Sequence, residues 1–337
     1  MMTYYNIYND VAAYPDAWMF VAYSSRGVGK TYGALWGCLE RDIKFLYLKR
    51  TQVDIDLISN DDFSPFKPIN RDHGTKVSFR KIYDGISVIE DTDDKIGYAM
   101  SLSSIHKYKG FDLSDVDVMI LDEFIPQVSE RVNRREGELL LDLYMTVSRD
   151  REQRGRPPLQ LWLFANATQL YCPITDTLQI IDDLSELNAS GSEYRYLEER
   201  GILLHRIRSQ SEQTDTAIFR GMQDTRWSRM AFGGEFAYND FSKIKKIPMK
   251  NMVCHIRLKY NNKDYYIYQH RDNGLYYMTT SRGGYIDEFD MDIEADQRRF
   301  YMEYGIMLRN ETTDGNMFFS TYTAYDLVYN FTKRFKI

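Results

Sequence analysis

The chain has 337 residues, of which 43% are hydrophobic and 27% charged, as in a globular protein of about two domains. Its net charge of −6 argues against a protein that coats nucleic acid, because such binding needs many Lys and Arg contacts to phosphate. Three well-separated cysteines, Cys38, Cys172 and Cys254, argue against a zinc site or a disulfide framework. The sequence has neither a signal-peptide pattern nor an apolar run near membrane-spanning length, so we expect a cytosolic protein without a membrane segment.

The first two hundred residues alternate strand-like apolar runs with helical patterns, which predicts an α/β domain with a largely parallel sheet. The predicted strands are 18–22, 44–48, 116–121, 159–164 and 202–207. Helices are predicted over 30–41 and 137–148, and a hairpin over 77–90.

A polar stretch at 209–215 lacks large apolar side chains and predicts a linker. We therefore expect an N-terminal domain over 1–208, a linker or connecting helix over 209–227 and a smaller α+β domain over 228–337. Within the last part, the runs 252–259, 265–269 and 275–279 predict a meander of three strands.

A glycine-containing segment joins the first predicted strand to the first predicted helix: Ser24, Ser25, Arg26, Gly27, Val28, Gly29, Lys30 and Thr31. This is the context of a phosphate-binding loop, in which glycines let backbone N–H groups face the phosphates of ATP. Lys30 is expected to reach the β- and γ-phosphates, and the Thr31 hydroxyl to bind Mg²⁺. Ser24 replaces the first glycine of the usual pattern, and the alternative interpretation is an ordinary turn between strand and helix.

The third predicted strand is followed by two carboxylates, Asp122 and Glu123. An acidic pair in this position faces a site at the carboxyl edge of a parallel sheet. Asp122 is expected to hold Mg²⁺, and Glu123 to orient and polarise the attacking water. A surface Asp-Glu pair is the alternative, but the phosphate-binding loop upstream favours the catalytic interpretation.

Three polar residues have both a structural and a catalytic interpretation. Arg149 and Arg151 follow the second predicted helix, where the helix dipole favours cations. Alternatively, one of them is an arginine finger that reaches the γ-phosphate of a neighbouring subunit. Asn166, just past the fourth predicted strand, either senses the γ-phosphate or caps the following turn.

Together these segments resemble viral terminase-type ATPases, and most of all the compact genome-packaging ATPases of phi29-type tailed phages. The resemblance covers most of the chain. Besides the phosphate-binding loop, it rests on Leu48-Lys49-Arg50-Thr51, Lys109-Gly110-Phe111-Asp112, Ile120-Leu121-Asp122-Glu123-Phe124, and the stretches 146–152, 165–167, 260–262 and 274–277.

The resemblance implies a P-loop ATPase domain of the additional-strand (ASCE) type with a mainly parallel sheet, followed by a degenerate ribonuclease-H-like domain. It implies that Arg26 belongs to the phosphate-binding loop and that Arg149, rather than Arg151, is the trans-acting finger. It also implies that Lys109 is a second basic residue at the subunit interface and that Asn166 couples hydrolysis to motion.

The resemblance further implies partners and a location. We expect a homo-oligomeric ring, pentameric in the working motor, which uses ATP and Mg²⁺ to pump double-stranded DNA through a procapsid portal or an adaptor on it. The ring is expected in the host cytoplasm, transiently on the procapsid, and not in the mature virion. Nuclease activity is not expected, because the first strand of the meander carries His255, Arg257 and Lys259 but no carboxylate.

Two other functions use the same residues. A nucleotide or small-molecule kinase predicts turnover that is indifferent to DNA and an acceptor pocket, for which the sequence offers no candidate. A catalytically silent, portal-binding scaffold predicts nucleotide binding without turnover, against which the complete set of Lys30, Thr31, Asp122 and Glu123 argues. A GTPase is disfavoured because no NKxD motif is present.

Overall fold

The computed structural model describes residues 4–83, 85–107, 112–127, 130–208, 217–223, 225, 228, 236 and 238–335. The chain divides into two compact units, Met1–Tyr238 and Asn239–Ile337. The second unit begins at Asn239, whereas the sequence analysis expects the C-terminal domain to begin at residue 228. Much of the predicted linker over 209–227 lies outside the described residues, so its boundaries stay predictions.

The first unit is built on a nine-stranded sheet. Its strands are β1 Met19–Ser24, β2 Phe45–Lys49, β3 Val77–Tyr83, β4 Ile86–Asp91, β5 Asp94–Ser101, β6 Val118–Asp122, β7 Gln160–Asn166, β8 Tyr194–Leu197 and β9 Ile202–Ile207. The order across the sheet is β3-β4-β5-β2-β6-β7-β1-β9-β8. Six neighbouring strands are mutually parallel, namely β5, β2, β6, β7, β1 and β9. Strands β3, β4 and β8 extend the two edges antiparallel. The predicted, mainly parallel α/β sheet is confirmed.

The position of β7 explains how the phosphate-binding loop and the acidic strand are spaced. β7 lies between β1 and β6, so one additional strand separates the two motif-bearing strands. All six residues of β1 and all five of β6 are buried. Parallel strands covered on both faces are typically such continuous apolar runs, which explains why the sequence predicts them well.

Eight helices are described in the first unit: α1 Ile7–Ala13, α2 Lys30–Glu40, α3 Gln52–Ile58, α4 Lys67–His73, α5 Glu136–Ser148, α6 Pro173–Thr177, α7 Ile181–Ser190 and α8 Ala217–Gly221. Helix α5 buries Leu139, Leu140, Leu143 and Val147, which recur at the spacing of one helix face. Helices α1 and α2 contribute Ile7, Ala34 and Leu35 to a core with β1, β2 and β7. In the described part of the chain, no helix has the length and hydropathy of a membrane span.

The second unit has a five-stranded sheet with four short helices. The strands are β10 Met252–Tyr260, β11 Lys263–His270, β12 Tyr276–Thr279, β13 Asp287–Asp290 and β14 Met317–Phe319, in the order β13-β10-β11-β12-β14. The helices are α9 Glu294–Phe300, α10 Ile306–Asp314, α11 Tyr322–Tyr329 and α12 Phe331–Arg334. Strands β10 to β12 form the predicted antiparallel meander, and β13 and β14 add parallel at its two edges. This unit is α+β as predicted, and its kinship with a nuclease stays a prediction.

Candidate nucleotide site

Polar residues end four neighbouring strands of the sheet, and three of them are predicted as site residues. Ser24 is the last residue of β1, Asn166 of β7, Asp122 of β6 and Lys49 of β2. These four strands are consecutive in the sheet, and Ser24 and Asn166 are register partners. Parallel strands present their carboxyl ends at one edge, which is where α/β proteins bind ligands. The structure thus brings the predicted loop, the acidic pair and Asn166 together.

The phosphate-binding loop has the backbone geometry that its glycines allow. Gly27 and Gly29 both have φ of +80°, a left-handed conformation in which a side chain would be strained. Lys30, the first residue of α2, is only 8% exposed. Its ammonium donates to Ser24 Oγ at 2.5 Å, to the Ser25 carbonyl at 3.3 Å and to Asn166 Oδ1 at 3.3 Å. The loop therefore turns the Lys30 ammonium back over the ends of β1 and β7.

The serine that replaces the first glycine has a role in this arrangement. Ser24 still belongs to the extended strand β1, so its position does not require the conformational freedom of glycine. Its buried hydroxyl accepts from Lys30 and donates to the Ser25 carbonyl at 2.6 Å. The departure from the usual motif therefore adds a polar contact to the loop.

Burial lowers the pKa of Lys30 to about 8, and the nearby Arg26 guanidinium acts in the same direction. The carboxylates of Asp122 and Glu123 oppose this shift. A buried ammonium that is costly to charge gains most from an added anion, because an opposite charge favours its protonated form. Lys30 is thus placed to bind phosphate, beside the exposed Arg26 and the half-buried Val28 and Thr31 of the same segment.

The two predicted carboxylates have different surroundings. Asp122 is 7% exposed and accepts hydrogen bonds from the Tyr47 hydroxyl and the Lys49 ammonium, both at 3.0 Å. The Glu123 side chain is 61% exposed and lies 3.2 Å from the same ammonium. Burial disfavours the charge on Lys49, but Tyr47 and the two carboxylates outweigh it and raise the lysine's pKa. Lys49 therefore stays charged between the two acids.

The backbone of Glu123 is unusual for its residue type. It has φ of +57°, whereas most of the other non-glycine residues with positive φ here are Asn or Asp, which tolerate it. Such strain persists only where the surrounding structure enforces it, and it concentrates at functional sites. The turn after β6 thus directs the Glu123 side chain out of the sheet edge, next to a cleft of about 350 Å³ that Lys49, Asp122 and Asn166 also line.

Oxygen donors suited to Mg²⁺ are present in this region. Magnesium in phosphoryl-transfer sites is bound by one or two protein oxygens together with substrate phosphates. The Asp122 carboxylate and the Thr31 hydroxyl are oxygen donors of this kind, on β6 and on the first turn of α2. No group of three His, Cys, Asp or Glu that could hold a metal by itself occurs among the described residues.

The two candidate finger arginines have different surroundings. The Arg149 side chain is 42% exposed, donates from Nε to the Thr146 carbonyl at 3.2 Å and lies 3.7 Å from Asp112. The Arg151 side chain is 6% exposed and donates to the carbonyls of Pro157 and Val116 and to Asp117. Arg151 is thus bound within its own unit, which favours Arg149 as the finger. Lys109 lies outside the described residues.

The conformation of Arg149 adds a second observation. It caps the C-terminus of α5 with φ of +40° and ψ of −125°. A non-glycine residue with positive φ outside the left-handed helical region is strained by about 1 kcal/mol or more. An arginine at this position therefore costs stability, which indicates that the residue is kept for a role other than folding.

Two residues of the site are missed by reasoning on the residue types alone. Lys49 enters the sequence analysis only through a segment shared with a family, and Tyr47 only as part of the predicted strand 44–48, both without a role. Their signal is positional, because β2 and β6 turn out to be neighbours and a polar residue at the end of β2 then meets the acidic pair. The sequence patterns do not reveal the order of the strands in the sheet.

Comparison with known proteins places the chain in a family. A comparison with curated proteins finds no match. The fold is similar to the solved bacteriophage phi-29 viral genome packaging motor assembly, with a TM-score of 0.64 and 15% identity over 98% of this chain and 99% of that one. It is also similar to the phi-28 gp11 DNA packaging motor, with a TM-score of 0.62 and 17% identity over 100% and 99%. The family model for the podovirus DNA encapsidation protein (Gp16) matches residues 2–299, and the chain therefore belongs to that family.

Proposed function

We propose that this chain is the ATPase of a phage DNA-packaging motor, which couples Mg-dependent ATP hydrolysis to translocation of double-stranded DNA into a procapsid. The observation that carries the proposal is the meeting of Lys30, Asp122, Glu123 and Asn166 at one sheet edge. Membership in a family of DNA encapsidation proteins supports the choice of DNA as the translocated polymer.

In the proposed chemistry, the loop from Gly27 to Lys30 binds the phosphates with its backbone N–H groups and the Lys30 ammonium. Thr31 and Asp122 would hold Mg²⁺, which offsets negative charge on the transferring phosphoryl group when it is bound. Asn166 contacts Lys30 at 3.3 Å, so its amide is placed to respond when the γ-phosphate takes over that ammonium.

Glu123 is the proposed base that orients the attacking water. Its carboxylate contacts the Lys49 ammonium at 3.2 Å, so it is directed toward this cation. Its large exposure leaves it room to turn toward a water at the γ-phosphate. Hydrolysis therefore requires the Glu123 carboxylate to move away from the Lys49 ammonium. Lys49 keeps its other contact, to Asp122, when this happens.

We further propose that the active site is completed by a neighbouring subunit. The exposed Arg149 would act in trans on the γ-phosphate, where an arginine finger contributes roughly 10³–10⁵ in rate. Lys109 is proposed as a second basic residue at this interface. A head-to-tail contact in which each site is completed by the next subunit gives a closed ring when the rotation closes, and we propose such a ring of five subunits. Its partners would be DNA and a procapsid portal or adaptor, in the host cytoplasm and without nuclease activity.

The first test measures phosphate release from ATP over a range of protein concentrations, with and without linear double-stranded DNA. Turnover per subunit that rises with concentration, and further with DNA, is expected for a ring with shared sites. Turnover that stays flat and indifferent to DNA, also on procapsids, would contradict the motor and favour a kinase. Nucleotide binding without turnover would favour a silent scaffold. Intact DNA length after incubation with Mg²⁺ checks the expected lack of cleavage.

A further inference from the structure

A buried ion pair connects the nucleotide edge of the sheet to helix α5. Arg50, the residue after β2, is 5% exposed, and Glu136 at the start of α5 is likewise 5% exposed. Arg50 Nε and Nη2 donate to the two carboxylate oxygens of Glu136 at 3.1 and 3.0 Å. Its third nitrogen, Nη1, donates to the exposed Glu130. The guanidinium therefore directs all three of its nitrogens to carboxylates on or just before α5.

Helix α5 runs from this ion pair to the proposed finger. It has 13 residues, which corresponds to a length of about 20 Å, and Arg149 caps its far end. Its start is closely packed, since a Cβ on Gly137 would lie 2.2 Å from Thr177 Oγ1 and 2.6 Å from the Pro173 carbonyl. A helix held this closely at one end fixes the position of the residue at its other end.

The other side of Arg50 adjoins the catalytic carboxylates of the same subunit. Its chain neighbour Lys49 contacts Asp122 at 3.0 Å and Glu123 at 3.2 Å. Two consecutive residues at the end of β2 thus contact two different parts of the protein. Lys49 contacts the acids of the subunit's own site, and Arg50 contacts the helix that ends at Arg149.

We infer that Arg50 is a positioning residue for the arginine finger of its own subunit. Through Glu136 it sets the placement of α5, and thereby of Arg149 at the site of the next subunit. This inference rests on the proposed trans-acting role of Arg149. The competing role is that of a residue of the subunit's own nucleotide site, because Arg50 also borders the cleft beside Asp122 and Glu123.

The choice of variants follows from the burial of the pair. Removing one partner of a buried ion pair leaves an uncompensated charge and endangers folding, whereas replacing both by apolar residues is often tolerated. The test therefore uses Arg50→Lys, which keeps the charge but loses two-point binding, and the double variant Arg50→Met with Glu136→Leu. The matched control is Arg195→Lys, because Arg195 also pairs with two carboxylates of one helix, Asp183 and Glu186 of α7.

The experiment measures ATP turnover in assemblies of two variants mixed one to one. Arg149→Ala mixed with Lys30→Ala is the reference, since each supplies what the other lacks. About a quarter of wild-type turnover is expected, because random placement in a ring puts an intact finger beside an intact site at about one interface in four. When each Arg50 variant is assembled without a second variant, its turnover is expected to fall at least tenfold, and its nucleotide affinity to stay within about twofold of wild type. Each should recover with Lys30→Ala but not with Arg149→Ala.

Several outcomes would overturn the inference. Recovery with Arg149→Ala instead of Lys30→Ala would assign Arg50 to its own subunit's nucleotide site. Recovery with neither partner, at unchanged nucleotide affinity, would mean that both sites depend on it. Unchanged turnover of both Arg50 variants, or an equal loss in Arg195→Lys, would remove its specific role. If the reference mixture itself fails, the trans-acting finger is wrong and the inference falls with it.

Discussion

Both units carry charged residues on a β-sheet, but they arrange them differently. In the first unit, Lys30 at the start of α2, Lys49 at the end of β2 and the acidic pair at the end of β6 meet at one edge. In the second unit, charges pair across neighbouring strands, as Arg257 of β10 does with Asp264 of β11 and Glu288 of β13. Parallel strands bring their ends together, whereas an antiparallel meander spreads its side chains over a face.

This difference indicates where chemistry can occur. The first unit holds a strained Glu123 and a buried Lys30 with a lowered pKa, both features of sites that bind or react. The cations on the outer face of β10, Arg257 and Lys259, are paired with carboxylates. We therefore expect mutations of charged residues to alter turnover in the first unit and mainly stability in the second.

The largest effect is expected for Glu123→Gln. The amide keeps the size of the side chain but cannot accept a proton from water, so turnover should fall about 10²–10⁴-fold. Binding of Mg-ATP, measured by titration with a fluorescent analogue, should persist. The matched control is Glu288→Gln in the second unit, which should leave turnover unchanged. Equal losses in both variants would contradict the contrast between the two sheets.

The largest stability effect is expected in the second unit, at the buried pair of Asp326 and Arg334. Asp326 is 2% and Arg334 4% exposed, and the guanidinium also donates to the Tyr260 hydroxyl at 3.2 Å. Asp326→Ala leaves a buried cation without its carboxylate and should cost about 3–5 kcal/mol of unfolding free energy. Urea unfolding measures this loss. Nucleotide affinity below the unfolding transition should not change, and a parallel loss of affinity would contradict separate roles for the two units.

Nucleotide affinity should depend on pH through Lys30. Its pKa of about 8 means that the ammonium is charged below pH 8 and loses its proton as pH rises through that value. Phosphate binds the charged form, so affinity should be nearly constant around pH 7, fall about twofold by pH 8 and then fall by up to about tenfold per pH unit. Titrations from pH 7 to 9.5 test this. Lys30→Ala should bind more weakly and lose the dependence, and a variant that keeps it would exclude Lys30 as the cause.

The smallest effect is expected at an exposed pair of the second unit. Lys259 and Asp290 lie 3.3 Å apart with side chains 39% and 26% exposed. Exposed ion pairs contribute about 0–1 kcal/mol, so Lys259→Ala should change the unfolding free energy by no more than that. Salt should reduce even this difference. A loss as large as that of Asp326→Ala would show that charge pairing on the outer face has a larger role than its exposure suggests.

The main strands and the phosphate-binding loop were predictable because their signals are local. The buried strands of the parallel sheet are continuous apolar runs, and all five predicted ones exist within two residues of their predicted starts. The strands missed by the sequence analysis carry weaker signals. β5 begins with exposed Asp94 and Lys95, and β14 has only three residues. Short or partly polar strands form because a neighbour offers an edge, which a local pattern does not reveal.

The site was predictable in its motif residues but not in its contacts. The partners of Lys49 and Arg50 lie more than 70 residues away in sequence and depend on β2 lying beside β6. Arg149 and Arg151 both follow one helix, and only the tertiary structure buries one of them and exposes the other. Periodicity predicts a helix end, but it does not indicate what surrounds that end.

The place of β1 within the sheet has a consequence for synthesis of the chain. Its two neighbours, β7 and β9, begin only at Gln160 and Ile202, although β1 ends at Ser24. At about 5–20 residues per second, the ribosome needs roughly 7 to 27 s to reach β7 after completing β1. During that time a strand that is entirely buried in the folded unit, and the loop after it, have no partners in the sheet. The earliest part of the candidate nucleotide site to be made is therefore among the last to be assembled, and nascent chains should depend on chaperones until residue 207 has emerged.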